Sequence, residues 1–117
     1  MANNVTFKTG EIIFREGAVP TALYIIRTGR VRISRGNAVL DELGANAFFG
    51  EMALIDQAPR CATATALEDT ECVEVPASDF HKRVNNLDPV MHGIFRVLVE
   101  RIRLLDRRLA KDQNDIY

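Results

Sequence analysis

The sequence predicts a mainly β domain followed by two C-terminal helices, the second of them long. Three observations carry that expectation. Short runs of β-branched and aromatic residues recur with glycine turns between them at regular intervals. The β signals stop at Pro76. Beyond it, apolar residues recur at spacings of three and four, the period of a helix. The whole chain of 117 residues reads as a single domain, with the β part over about residues 5–76 and helices over about 78–86 and 88–112.

The segments follow one another plainly. Residues 5–14 form a first extended stretch, interrupted by Gly10, with Ile12, Ile13 and Phe14 as its apolar content. Glu16-Gly17 and Pro20 mark a loop. Leu23-Tyr24-Ile25-Ile26 is strongly β-prone. After the turn at Thr28-Gly29, Val31 and Ile33 alternate with Arg32 and Ser34. Gly36-Asn37 is a hairpin signal ahead of residues 39–43, and Gly44 turns the chain again. Past residue 60, small and β-branched residues alternate, with Thr63 and Thr65 on one face. Val73 and Val75 share a face of the next short strand. Such spacing argues for a sandwich or barrel. Ser78 is the expected N-cap of the first helix, which carries Phe80, Val84 and Leu87. Asp88-Pro89 opens the second helix, Asp as cap and Pro at the first helical position. Along it, Met91, Phe95, Leu98, Ile102, Leu105 and Leu109 trace nearly three heptads of a coiled-coil seam, supplemented by Ile94, Val97 and Leu104.

Composition excludes several classes. The net charge of −1 sets up no global field toward nucleic acid or a membrane. No apolar run approaches the ~20 residues of a membrane span, and the N-terminal residues lack a signal-peptide pattern. Two cysteines, Cys61 and Cys72, are too few for a disulfide framework or a typical metal site. A cytoplasmic protein with reduced thiols is expected. His81 and His92 stand apart from other ligand or catalytic side chains, so neither a metal nor a catalytic residue is expected. The basic excess between Arg96 and Lys111 reads as a solvated face or as a weak docking surface for an acidic partner or nucleic acid.

The stretch over residues 48–63 carries the chemistry. Gly50 lets the chain approach a ligand closely, and residues 51–55 can form a short helical turn whose first N–H groups are unpaired. Pro59 stiffens the return of the chain before Arg60, whose planar fork of donors suits two phosphate oxygens. Glu51 accepts hydrogen bonds and suits hydroxyls, such as those of a ribose. Amides and Arg on one side, with a carboxylate on the other, suit a sugar phosphate.

This stretch resembles the phosphate-binding cassette of cyclic-nucleotide-binding domains, the family of catabolite-activator-type regulators, cyclic-nucleotide-regulated kinases and cyclic-nucleotide-gated channels. The matching residues are Phe49-Gly50-Glu51, Ala53-Leu54, Pro59-Arg60 and Ala62-Thr63. Ahead of them Gly10-Glu11-Ile12-Ile13-Phe14, Glu16-Gly17, Leu23-Tyr24-Ile25-Ile26, Gly29-Arg30-Val31 and Leu43-Gly44 extend the resemblance over nearly the whole chain. It implies a jelly-roll-like β-roll, a double-stranded β-helix. It also implies that Arg60 holds the cyclic phosphate and Glu51 the ribose 2′-hydroxyl. The amides of Gly50, Met52, Ala53 and Cys61 would face the phosphate, with Phe49 and Ala62 flanking them. In the family a hydroxyl at the Cys61 position favours the guanine nucleotide, and a thiol is a weak donor, so cyclic AMP is expected ahead of cyclic GMP. The last helix of the family supplies the base contact, which falls here near Asp106 and Arg107.

The expected function is a non-enzymatic sensor with no cofactor other than its nucleotide ligand. It would couple binding to movement of the last helix, and so to homodimerisation through that helix or to control of a protein partner in trans. The alternative is a degenerate β-roll that docks or dimerises without nucleotide. An enzyme would need a metal cluster or an activated nucleophile, and neither is visible. Where the family often has a second glycine before the cassette, this chain has Gly44-Ala45-Asn46-Ala47, in which Asn46 tolerates left-handed angles. The chain as given has little room for helices ahead of the first strand and none for a DNA-binding helix-turn-helix after the last helix.

Overall fold

The computed structural model describes residues 2–109, excepting the side chains of Arg103 and of residues 105–109. The chain forms two compact units, one up to Asp79 and the other from Phe80 onward.

The first unit is built on eight strands. They are β1 (Asn3–Phe7), β2 (Ile12–Phe14), β3 (Ala22–Thr28), β4 (Val31–Arg35), β5 (Ala38–Leu43), β6 (Phe48–Phe49), β7 (Thr63–Ala66) and β8 (Thr70–Pro76). They form two antiparallel sheets ordered β1-β8-β3-β6 and β2-β7-β4-β5. The short helix α1 (Glu51–Asp56) lies between β6 and β7. The first extended stretch is thus two strands in different sheets. Gly10, at φ 87, turns the chain between them, and its N–H donates to the Ala66 carbonyl at 2.7 Å.

The inner faces of both sheets meet in one core. β3 contributes Ala22, Tyr24 and Ile26, β8 Cys72, β6 Phe49, β4 Val31 and Ile33, and β7 Ala64, with Ala62 just before it. Period-two alternation accounts for β4, where Val31 and Ile33 are buried and Arg32 and Ser34 only partly so. In β8 the inward residues are Thr70 and Cys72 rather than Val73 and Val75, which are half-buried. Burial, aided by Glu71, pushes the Cys72 thiol up to about 11, so it packs as a small apolar residue. Gly36-Asn37 turns β4 into β5 with Arg35 opposite Ala38. Asn46 takes the left-handed conformation at φ 74, and its N–H donates to the Ile26 carbonyl at 2.7 Å, holding the approach to β6 against β3.

β8 runs straight into α2 (Ala77–Asn85). Ser78 is therefore inside the helix rather than capping it. The Ala77 N–H donates to the Thr21 carbonyl at 2.8 Å, so the helix start is tied to backbone and needs no side-chain cap.

The second unit holds most of α2 and α3 (Pro89–Leu109). Asp88 Oδ1 accepts from the Met91 N–H at 2.9 Å and the Asp88 carbonyl from the His92 N–H at 2.8 Å. That is the N-cap expected from Asp88-Pro89. Along α3, Val99 is buried, while Val90, Met91, Ile94, Val97, Leu98, Ile102 and Leu104 are exposed. Leu105 and Leu109, which complete the predicted seam, lie outside the described side chains. No helix among the described residues is long and apolar enough to cross a membrane.

Candidate functional site: the residue 49–62 cassette

The cassette begins where β6 ends. Phe49 is fully buried and stacks on Tyr24, ring centroids 5.3 Å apart, which anchors the segment to the core. Gly50 then turns the chain at φ 86, ψ 3, a conformation that favours a residue without Cβ. α1 starts at Glu51 and buries Met52 and Leu54. It ends at Gln57, also left-handed at φ 53, whose N–H returns to the Ala53 carbonyl. The chain then passes Pro59 and presents Arg60.

Arg60 is held at both ends. Its backbone N–H donates to the Ala18 carbonyl at 2.9 Å, and its carbonyl accepts from the Gly17 N–H at 2.8 Å. The Glu16-Gly17 loop thus serves as a clamp on the cassette, reinforced by the Glu16 N–H donating to Thr63 Oγ1 at 2.9 Å. The residue is only 4% exposed. Nη1 donates to the Gly50 carbonyl at 2.7 Å, and Nη2 donates to the Ala22 carbonyl. The Phe14 ring lies under the guanidinium, 4.0 Å from Cζ to the ring centroid. Burial lowers the proton affinity of Arg60, while Tyr24, Cys61 and Glu51 nearby act to hold the charge.

Two polar atoms of the cassette are buried without a hydrogen-bond partner: Arg60 Nε, a donor, and Glu51 Oε1, an acceptor. Burial raises the pKa of Glu51; its own backbone N–H and the Arg60 charge pull the other way. Buried unpaired groups of this kind cost about 1–3 kcal/mol each. A ligand offering an acceptor to Arg60 and a donor to Glu51 would satisfy both.

The other expected ligand residues divide by exposure. The side chains of Phe49, Met52 and Ala62 are buried and carry no strong hydrogen-bonding group, so their polar contribution to a ligand is limited to the backbone. Ala53 is half-buried and Cys61 exposed. The Cys61 carbonyl accepts from Arg35 Nε at 2.9 Å. The expected base contacts, Asp106 and Arg107, belong to the backbone of α3, and their side chains lie outside the description. Sequence reasoning missed Phe14, Ala22 and Arg35 as neighbours of the site. Ala22 acts through its carbonyl, which every residue possesses, and an apolar Phe14 in a β-prone run carries no signal of contact with a charge.

The profile of the cyclic nucleotide-binding domain family matches residues 4–86, a stretch that includes the whole cassette. The chain belongs to the cyclic nucleotide-binding domain family. It is 34% identical over 108 residues to the cyclic AMP receptor protein of Thermus thermophilus, covering 88% of this chain and 50% of that protein. It is 36% identical over 98 residues to the cGMP-dependent protein kinase of Toxoplasma gondii, covering 83% of this chain and 10% of the kinase. Among solved structures, the cAMP-bound form of the EAL enzyme Bd1971 superposes with a TM-score of 0.73 at 37% identity, covering 88% of this chain and 29% of the enzyme. The chain thus spans half or less of the length of these relatives. The fold of the family, a β-roll of two antiparallel sheets with helices, is the fold observed. Among the described residues no group of three or more His, Cys, Asp or Glu could hold a metal ion.

Proposed function

We propose that this chain is a non-catalytic cytoplasmic sensor module for a 3′,5′-cyclic nucleotide, cyclic AMP ahead of cyclic GMP. Arg60 binds the cyclic phosphate and Glu51 the ribose 2′-hydroxyl. The observation that carries the reading is the pair of unpartnered buried atoms, Arg60 Nε and Glu51 Oε1, in one cassette. A cyclic nucleotide brings an anionic acceptor and a neighbouring hydroxyl donor on two small fused rings, the complement of that pair.

Binding then biases α3, and through it dimerisation or a partner contact. A ligand shifts such an equilibrium only by its differential affinity for the two states. The exposed apolar residues of α3 support this output and also favour a second reading, a dimerisation piece that works without nucleotide.

Calorimetric titration with cyclic AMP and cyclic GMP, beside Arg60→Ala, tests the proposal. With ~22 ligand heavy atoms at about 0.3 kcal/mol each, a Kd on the order of 10 μM or tighter is expected. Arg60→Ala should abolish binding, because hydrogen bonds from a buried charge to phosphate are worth several kcal/mol together. No heat and no thermal shift with either nucleotide would move the assignment to the dimerisation piece. Nucleotide recovered unchanged after prolonged incubation is the expected result for a sensor, and hydrolysis would overturn the non-catalytic part.

A further inference from the structure

We propose that Phe14 is a positioning residue for the cassette, holding the Arg60 guanidinium by its face so that Nε is left unpartnered for the ligand's phosphate. The ligand rests on the sensor reading above; the stack itself is present without it.

A guanidinium taken out of water must be compensated. Two of the Arg60 compensations are edge-on hydrogen bonds, to the carbonyls of Gly50 and Ala22. The third is the ring of Phe14 at 4.0 Å, within cation–π range. A ring differs from a carboxylate or carbonyl at this place in one respect. It attracts the cation without consuming a donor, because its negative face meets the flat side of the guanidinium rather than an N–H. Nε therefore stays buried and unpartnered. A carboxylate in place of the ring would pair with the donors that a phosphate needs.

Phe14 itself packs against two other rings. Its centroid lies 6.1 Å from that of Tyr24 and 5.9 Å from that of Phe49, and those two rings stack on each other. Its strand, β2, pairs with β7, placing Phe14 opposite Ala64, a few residues past Arg60. Gly50 lies against the edge where the guanidinium and the ring meet. A Cβ there would meet Arg60 Nη1 at 2.8 Å and Phe14 Cε2 at 3.3 Å, so the glycine, the guanidinium and the ring are packed without a spare layer. Arg60 is thus oriented by the β-roll before any ligand arrives, which removes an ordering cost from binding.

The test combines NMR of Arg60 with nucleotide titration, on wild type, Phe14→Leu and Phe14→Tyr. In the ligand-free wild type, ring-current shielding should move the Arg60 Hε resonance upfield. Phe14→Leu keeps apolar bulk and should lose that shift. Phe14→Tyr keeps the ring and should retain it. Phe14→Leu should weaken cyclic AMP binding by about three- to thirty-fold, with Phe14→Tyr close to wild type. An unshifted Hε in wild type overturns the proposal, and that spectrum decides even if Phe14→Leu fails to fold. So does a folded Phe14→Leu that binds as tightly as wild type. A wild type that binds neither nucleotide but shows the shift, lost in Phe14→Leu, removes the sensor reading and leaves the positioning of Arg60 standing.

Discussion

Arg60 Nη1 donates to the carbonyl of Gly50 at 2.7 Å, and a Cβ on Gly50 would come within 2.8 Å of the same nitrogen. The residue that accepts the bond is also the one whose missing side chain makes room for it. Gly50→Ala meets two penalties, displacement of the guanidinium and a φ of 86 that L residues rarely adopt. Stability should fall by about 1–2 kcal/mol from the backbone alone. Nucleotide affinity should fall as well, since the guanidinium must leave its place. Denaturant unfolding read beside calorimetry separates the two effects. Wild-type affinity in a destabilised Gly50→Ala would show that the site does not depend on this packing.

Glu51 predicts an opposition between stability and binding. Its folded pKa is raised, chiefly by burial, so the folded state disfavours the charged form. The ligand-free protein should therefore lose stability as pH rises from the ordinary carboxylate range through the raised value, because the native state there holds more protons than the unfolded chain. Glu51→Gln should remove that slope and stabilise the ligand-free protein at neutral pH. The same change should weaken nucleotide binding roughly ten- to hundredfold, by replacing a charged acceptor with a neutral one. Binding by wild type should tighten over the pH range in which stability falls, as Glu51 ionises. Melts of both proteins across acid pH, with and without nucleotide, check each sign.

For α3, the expected outcome concerns assembly. Ile94 is 46% exposed and Leu98 51%, so replacing both by Glu should change the folding stability of the monomer little, within about 0.5 kcal/mol each. Sedimentation at tens of micromolar should give a dimer for wild type and a monomer for the double variant. A wild-type monomer with and without nucleotide would remove dimerisation from the proposed output.

What the sequence disclosed depended on how local the physics was. The Asp88 cap and the left-handed Asn46 involve neighbouring residues, and both are present as read. The cassette was legible because Gly50, Glu51, Pro59 and Arg60 are close in sequence. The inward face of β8 was not. Alternation says that Val73 and Val75 share a side, but only pairing with β1 and β3 decides that Cys72 faces the core. The surroundings of Arg60 were equally hidden, since the Ala22 carbonyl lies 38 residues away and carries no side-chain signature. The helix start at Ala77 likewise depends on the distant Thr21 carbonyl, which displaced Ser78 from the role its chemistry suggested.

β1 and β8, the first and last strands of the roll, are antiparallel neighbours, with Asn3 opposite Glu74 and Phe7 opposite Thr70. The chain therefore enters the roll and leaves it at the same end, on strands about 5 Å apart. A unit with such adjacent attachment points can be spliced into a surface loop of a host protein without stretching it, and a tug on its two flanks unzips one strand pair before it reaches the rest.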